Sequence, residues 1–433
     1  MRTEEKQQKP KVSCEGARAD DARLLNRDFK LHNPWLLAAI LVFSLTLWVT
    51  VGFYRPVGFG LLTAALTLLV LAVTKSDSWI NIISFDRGRL RILFIGVLVV
   101  FLMVGAVRNR SKRANSGPTI DVLTYQRDGV HALLHGIDPY GVTHANPYGS
   151  DLHYYGRDFA ANGRILVGYP YLPLTLLWVV PGYLLGDVRD ADLVAVVTTA
   201  FLIFWMGQNT ASFLASILFL AGPRTPTVLL NGWTEPIMAL MLALVVYTAL
   251  HGRRWLPVAL GLFLASKQYA LLAVPVVPLL LQEYSWRKYA RLLLQALGVA
   301  AIITLPFTLW NAGAFWHDVV LFHISQPFRP DSLSYSALLF RLGAGELPPV
   351  AVIAAMAGCL GLAFRYLPRN PGGFACAVSL LTAAFIVCNK QAFLNYYFFV
   401  TAAQCIGVAA INDEPEATEK IIPTAALRIR ARA

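Results

Sequence analysis

The sequence contains few charged residues. Only 14% of its 433 residues are Asp, Glu, Lys or Arg, whereas a typical soluble domain contains about 25%. A disordered chain needs high charge and few apolar residues, so this composition excludes one. It also argues against a soluble multidomain protein.

The sequence has few cysteines, and it lacks the common nucleotide-binding and protease motifs. Five cysteines occur, none of them in a CxxC pair: Cys14, Cys359, Cys376, Cys388 and Cys405. Four lie in or beside apolar runs, which is typical of buried small hydrophobes rather than of a disulfide framework. A P-loop, GxSxG, HExxH and a GxGxxG with an acidic partner are all missing. We therefore expect neither a metal nor an organic cofactor, and an energised transporter or zinc protease is unsupported.

Apolar residues dominate the chain. They make up 56% of it, and the mean hydropathy is +0.55. About 20 apolar residues span a bilayer as a helix, so the runs predict an all-α polytopic membrane protein with about twelve transmembrane helices. The predicted spans and broken spans cover residues 35–53, 57–73, 90–107, 172–185, 193–206, 211–230, 236–250, 256–281, 290–310, 349–364, 374–388 and 393–411.

Two apolar stretches contain breaks. Lys267 lies in the middle of residues 256–281, and a lysine at mid-bilayer is costly. We therefore predict two short helices with Lys267 at an outer tip. Residues 211–230 are interrupted at Pro223 and Pro226, and we predict a pair of short or re-entrant helices that return to the same side, as is tolerated beside a cavity.

The net charge of +12 does not indicate nucleic-acid binding, because it is spread over short loops between apolar runs. The positive-inside rule explains that pattern better. It predicts cytoplasmic tails at 1–34 and 412–433, a transmembrane domain at 35–411, and outer loops at 108–170 and 311–346. Arg189, Arg253 and Arg254 then lie inside, while the basic cluster at 108–113 disagrees with the rule.

An acidic pattern opens the first outer loop. Asp121, Asp128 and His135 are seven residues apart, and this spacing places them on one helix face. It predicts an amphipathic helix on the membrane surface with its acidic line turned inward, ending near Gly136. A solvated helix face would show the same spacing, and this alternative stays open.

Further polar residues lie beside apolar runs on the predicted outer side. Glu235 precedes a span and needs a partner there; capping of the helix and pairing with Lys267 are both possible. Lys267, Arg329 and Lys390 are isolated cations that suit an anionic ligand such as a lipid phosphate. Ion pairing or snorkelling is the alternative for each.

The order of these pieces resembles the GT-C superfamily of membrane glycosyltransferases, with the bacterial polyprenyl-phosphate-mannose-dependent mannosyltransferases as the nearest branch. The resemblance covers roughly residues 90–411. Two extra spans before the acidic loop depart from the simplest family pattern. The motifs that carry the resemblance lie at Asp121–Tyr140, Tyr169–Pro173, Gly232–Pro236, Ser266–Tyr269 and Asn389–Tyr397.

This resemblance implies a reaction at the outer face of a bacterial plasma membrane. A sugar, mannose by analogy, would pass with inversion from a polyprenyl phosphate to a hydroxyl of an envelope glycolipid or polysaccharide. Asp121 would be the general base, with Asp128 orienting it or the acceptor. Lys267, His323, Arg329 and Lys390 would contact the donor phosphate, supported by Glu235, His135, Tyr169 and Asn389. The alternative from another class is a transporter or flippase of lipid-linked sugars that performs no chemistry.

Overall fold

The computed structural model describes residues 87–113, 120–149, 154–156, 158–222, 224–281, 283 and 285–410. The predicted tails and the predicted spans 35–53 and 57–73 lie outside these residues. The description of side chains begins at Gly88 and omits residues 108–113.

Helices make up most of the described chain. They are α1 Arg87–Arg113, α2 Asp121–Leu134, α3 Pro173–Leu184, α4 Arg189–Gly207, α5 Thr210–Leu220, α6 Thr225–Asn231, α7 Glu235–His251, α8 Leu256–Leu264, α9 Trp286–Trp310, α10 Ala312–Trp316, α11 Phe322–Ser325, α12 Tyr335–Arg341, α13 Pro349–Tyr366, α14 Pro371–Cys388 and α15 Leu394–Ala410. Two 3₁₀ segments, Arg253–Trp255 and Gln268–Leu280, flank α8, and a π-helical segment, His317–Leu321, joins α10 to α11.

The strands are very short. β1 His144–Ala145, β2 Ala160–Ala161 and β3 Arg164–Ile165 form an antiparallel sheet in the order β1-β3-β2. His144 and Ala160 both pair with Ile165. This small sheet folds the loop after α2 back on itself.

Within the described residues, five helices are long and apolar enough to cross a membrane. They are α4, α9, α13, α14 and Gly88–Val107 of α1. The bent pair α5–α6 would add a sixth span. Large apolar side chains on α9 and α13 point outward, as Ile302 at 75% exposure and Ile353 at 68% show. Such surfaces fit lipid rather than water, and the predicted all-α polytopic membrane protein is confirmed.

Helices α4 and α7 run parallel, so their first residues lie at one end of the bundle and their last residues lie at the other. At one end, Arg189 donates from Nη1 to the Leu230 carbonyl oxygen at 3.1 Å, close to the start of α7. At the other end, Nε2 of His251 lies 3.2 Å from the Met206 carbonyl oxygen. We call these ends the Glu235 face and the His251 face.

The prediction that residues 211–230 return to the same side is wrong. α5 begins on the His251 face, where Arg91 donates to Oγ1 of Thr210 at 3.0 Å, and α6 ends beside Arg189 on the Glu235 face. The two helices meet at 50°. Pro226 lies in the first turn of α6, where the missing N–H of proline is tolerated, and the break before α6 bends a crossing without reversing it.

The predicted crossing at 172–185 is also wrong. α3 begins beside Tyr171, whose ring lies 4.6 Å from Nζ of Lys267 on the Glu235 face, and it leads to Arg189 on that same face. Its 12 residues rise only about 18 Å at 1.5 Å per residue, short of the roughly 30 Å hydrocarbon core. Arg189 therefore lies on the Glu235 face, away from Arg253 and Arg254.

The prediction for the stretch 256–281 is confirmed in its division into two short helices. α8 ends at Leu264, and the 3₁₀ segment begins at Gln268. Lys267 lies between them in an extended conformation on the Glu235 face.

Candidate active site

Asp121 is the first residue of α2, and it is partly buried. Oδ1 accepts a hydrogen bond from the Val122 N–H at 2.8 Å and a longer one from the Tyr148 hydroxyl at 3.3 Å. Oδ2 accepts from the Tyr155 hydroxyl at 2.7 Å. Burial raises the pKa of Asp121 above its ordinary value, although these hydrogen bonds and the nearby Arg329 oppose the rise. A raised pKa makes this carboxylate a stronger base than a solvated aspartate.

The acidic line on α2 does not face inward as predicted. The side chain of Asp128 is about half exposed, and Oδ2 lies 2.8 Å from Nδ1 of the buried His144. His135 lies exposed at the helix end and stacks on His131 at 4.2 Å between ring centroids. The structure therefore does not bring Asp128 or His135 to Asp121. The hydroxyl groups that reach Asp121 come from the loop that carries Tyr148 and Tyr155.

Lys267 and Glu235 form a buried ion pair. Nζ of Lys267 donates to Oε1 of Glu235 at 2.5 Å and to Oγ1 of Thr234 at 2.9 Å. Lys267 is 3% exposed and Glu235 is fully buried. A charge in such surroundings needs a partner, so the structure shows pairing rather than helix capping by Glu235. The second oxygen, Oε2 of Glu235, makes no hydrogen bond within the described part of the chain.

Three tyrosine rings surround the Lys267 ammonium. The centroids of Tyr171, Tyr269 and Tyr396 lie 4.6, 5.4 and 5.5 Å from Nζ, within the range of cation–π attraction. Burial raises the pKa of Tyr171 well above its ordinary value, and the charges of Asp121 and Glu235 raise it further. Tyr171 is therefore close to both acids and links the Asp121 cluster to the ion pair.

The backbone before Tyr171 is held by a buried carboxylate. Oδ2 of Asp318 accepts the Gly168 N–H at 2.8 Å, and Oδ1 lies 2.8 Å from Nδ1 of His317. A Cβ at position 168 would come within 2.6 Å of the Tyr140 carbonyl oxygen, so only glycine fits. Burial raises the pKa of Asp318 to about 7, with Asp138 adding to the rise.

His323 holds the same segment in a neutral form. Its Nε2 lies 2.7 Å from the Pro170 carbonyl oxygen, which also accepts from Nε2 of Gln268 at 2.8 Å. Burial, aided by the charges of Lys267 and Lys390 and opposed by the hydrogen bond to Pro170, lowers the pKa of His323 to about 4. The phosphate contact predicted for His323 stays a prediction, since its Nε2 is engaged with the Pro170 carbonyl oxygen. Its role here is to hold Pro170.

Tyr169 is buried beneath this segment. Its hydroxyl donates to Oγ1 of Thr175 at 2.8 Å, and its ring packs edge-on against Tyr140 and Tyr171. Gly129 of α2 lies against the ring, since a Cβ there would approach it to 3.2 Å. Tyr169 therefore supports the site by joining α2 to α3.

Arg329 is the predicted phosphate contact whose charge lowers the pKa of Asp121. Nε and Nη2 donate to the two oxygens of Asp331 at 2.8 and 2.7 Å, and its guanidinium lies 4.2 Å from the Tyr154 centroid and 4.9 Å from the Phe393 centroid. Nη1 makes no hydrogen bond to the residues described above. Nη1 of this guanidinium is therefore available to a ligand.

Lys390 joins two loops through hydrogen bonds. Nζ donates to the carbonyl oxygens of Ile324 and Gln326 at 2.7 and 2.5 Å. Asn389 accepts the Lys390 N–H at 2.8 Å, and the Lys390 carbonyl oxygen accepts the Arg329 N–H at 3.2 Å. These bonds hold the Arg329 loop in place.

Sequence reasoning missed Tyr148, Tyr155 and Asp318. The two tyrosines lie in a loop without periodicity, where nothing indicates that they return to Asp121. Asp318 sits in an apolar stretch, and a carboxylate in such a setting is itself a signal that could have been used.

No family model matches the sequence, and no curated protein matches it. One solved structure that it resembles is ArnT from Cupriavidus metallidurans bound to undecaprenyl phosphate, with 16% sequence identity and a TM-score of 0.48. The match covers 73% of this chain and 60% of that chain, so this chain spans about 60% of the length of the protein it matches.

Proposed function

We propose that this protein is a membrane glycosyltransferase that moves a sugar from a polyprenyl-phosphate donor to an acceptor hydroxyl, with Asp121 as general base. The observation that carries the proposal is the Asp121 carboxylate at the start of α2, which accepts hydrogen bonds from the Tyr148 and Tyr155 hydroxyl groups and interacts electrostatically with Arg329. The sequence motifs that resemble the GT-C superfamily surround this carboxylate and support the same conclusion.

The chemistry is a single displacement. The acceptor oxygen attacks the anomeric carbon while Asp121 takes its proton, and the bond from that carbon to the phosphate oxygen breaks. The bonding electrons leave with the phosphate, and the configuration inverts. A positioned base contributes about 10²–10⁴ in rate, and a preorganised cation stabilises charge that develops on the leaving oxygen.

Arg329 is the best-placed contact for that phosphate. A planar guanidinium suits phosphate, and Nη1 is directed to no described acceptor while Asp331 fixes the other two nitrogens. Lys267 is committed to Glu235 and Thr234, and Lys390 is committed to two carbonyl oxygens. We assign those two lysines to positioning the tyrosines and the Arg329 loop around the donor.

The sugar, the acceptor and the membrane side follow from the resemblance alone. They are mannose, an envelope glycolipid or polysaccharide, and the outer face of a bacterial plasma membrane. In that orientation the Glu235 face would point outward.

The deciding experiment combines purified protein with a panel of polyprenyl-phosphate sugars and a membrane lipid extract, and identifies products by mass spectrometry. We expect a new glycoside with the wild type and none with Asp121→Asn, while donor binding persists in the variant. Asp128→Asn is the matched control, because it removes a half-exposed carboxylate from the same helix. Transfer by Asp121→Asn at a near-normal rate would refute the role of Asp121. If the wild type moves lipid-linked sugars across proteoliposomes and forms no product, the protein is a transporter.

A further inference from the structure

A basic groove lies on the His251 face, at the opposite end of α7 from the candidate active site. It has a volume of about 570 Å³ and is formed where α7 ends and α8 begins. The residues that line it include Tyr247, His251, Arg253, Arg254 and Trp255.

The groove carries unpaired positive charge. Arg253 and Arg254 are exposed, and neither forms an ion pair with any residue that the structure describes. The lining contains no carboxylate. Two guanidinium groups that line the same concavity offer planar cationic donors suited to a phosphate group.

An exposed indole borders the two arginines. Trp255 is 54% exposed, and the Arg254 guanidinium lies 5.7 Å from its ring centroid. Tyrosine and tryptophan concentrate where headgroups meet the hydrocarbon core of a bilayer. The 17 residues of α7 separate Glu235 from this groove by about 26 Å, so the groove lies near the opposite membrane interface.

We propose that this groove binds the phosphate headgroup of an anionic phospholipid in the leaflet at the His251 face. Arg253 and Arg254 contact the phosphate, and Trp255 packs against the glycerol and upper acyl region. This lipid site is distinct from the proposed donor site and does not depend on the glycosyltransferase activity.

The test measures thermal unfolding of the purified full-length protein in neutral detergent with added phosphatidylglycerol or phosphatidylcholine. We expect phosphatidylglycerol alone to raise Tm. In Arg253→Ala/Arg254→Ala, the lipid concentration needed for half of that rise should increase at least tenfold. Both side chains are exposed, so the variant should fold, and Trp255→Ala should show a smaller loss of affinity.

Arg365→Ala is the matched control, because its guanidinium also lies over an aromatic ring, that of Tyr366 at 5.2 Å, near the end of a helix. It should keep the full response to phosphatidylglycerol. An unchanged response in the double variant would overturn the proposal, as would an equal loss in Arg365→Ala. An equal rise in Tm with inorganic phosphate would show a free-anion site and would overturn the lipid assignment.

Discussion

Two hydroxyl groups from one loop contact Asp121, the proposed general base. Tyr155 and Tyr148 both donate to Asp121, at 2.7 and 3.3 Å. Their hydrogen bonds favour the ionised carboxylate, whereas burial favours the protonated form. The balance between the hydrogen bonds and burial sets the pH at which the Asp121 carboxyl group ionises.

Tyr155→Phe should therefore move the acid limb of the pH profile of kcat/KM upward. Loss of a hydrogen bond worth about 1 kcal/mol raises the pKa of Asp121 by about 0.7 units. A larger fraction of the Asp121 carboxylate is then protonated at a given pH. Tyr148→Phe should move the limb less, because its bond is longer. Tyr335→Phe, on an exposed side chain, should leave the limb in place. A limb unmoved by Tyr155→Phe would show that Asp121 is not the titrating group.

Because Lys267 and Glu235 are paired and buried, we expect loss of one partner to destabilise the fold more than loss of both. Lys267→Ala should lower the free energy of unfolding by about 3–5 kcal/mol, because it leaves the Glu235 charge buried and unpaired. Lys267→Ala/Glu235→Ala removes both charges and should cost less than the single variant. Thermal unfolding of the two variants measures the difference. A double variant that is at least as destabilised as Lys267→Ala would contradict the buried unpaired charge inferred for Glu235.

The sequence could predict the pairing of Lys267 with Glu235, since a charge beside an apolar run needs a partner. It could not predict the three tyrosines around Lys267. Tyr171, Tyr269 and Tyr396 come from three separate segments, and only the fold brings them together. Asp128 was predicted to act with Asp121 because helical spacing reports which residues share a face, but not what covers that face.

Among the elements, the segment from Gly168 to Tyr171 connects the two halves of the site. Asp318 holds its first residue, and His323 and Gln268 hold Pro170. Each bond reaches the backbone rather than a side chain. The position of Tyr171 against Lys267 therefore depends on the π-helical segment and α11 behind it.

Asp318 should make stability depend on pH. Its pKa is raised to about 7 in the folded protein and is about 3.9 when unfolded. Between these values the folded state binds the extra proton, so the stability that this proton confers is lost as pH rises from about 4 through about 7. Asp318→Asn keeps an acceptor for the Gly168 N–H and should flatten this part of the Tm profile.

The matched control is Asp158→Asn, since Asp158 is an exposed acid. It should retain the wild-type slope. A wild-type profile that rises between pH 5 and 7 relative to Asp318→Asn would contradict the protonated carboxyl inferred for position 318.

Composition predicts which segments are helical, but length and local breaks decide which of them cross the membrane. Residues 172–185 and 211–230 are both strongly apolar. The first forms one helix too short to cross, and the second forms two helices that together cross. The polar end contacts of Arg189 and Arg91 distinguish these cases, and such contacts are not visible in a hydropathy pattern.

On the scale of the whole molecule, the two proposed sites occupy opposite ends of α7. Glu235 begins this helix beside Lys267, and His251 ends it at the basic groove. One end carries buried, paired charges and the partly buried Asp121, whereas the other carries exposed arginines that form no ion pair with any described residue. This polarity suits a protein that performs chemistry at one interface and is anchored by lipid at the other.

The arrangement of the faces predicts the result of cysteine labelling. The contacts of Arg189 place residue 185 on the Glu235 face with residue 135, whereas the hydropathy-based topology places it with residue 254. Leu185 is 82% exposed, so a cysteine there should be reactive. In a background lacking native cysteines, Leu185→Cys should react with a membrane-impermeant maleimide from the same side as His135→Cys and the opposite side from Arg254→Cys. Labelling of position 185 together with position 254 would mean that α3 crosses the membrane and that α4 and α7 do not run parallel. The comparison needs no knowledge of which face is outside, because it asks only which positions share a side.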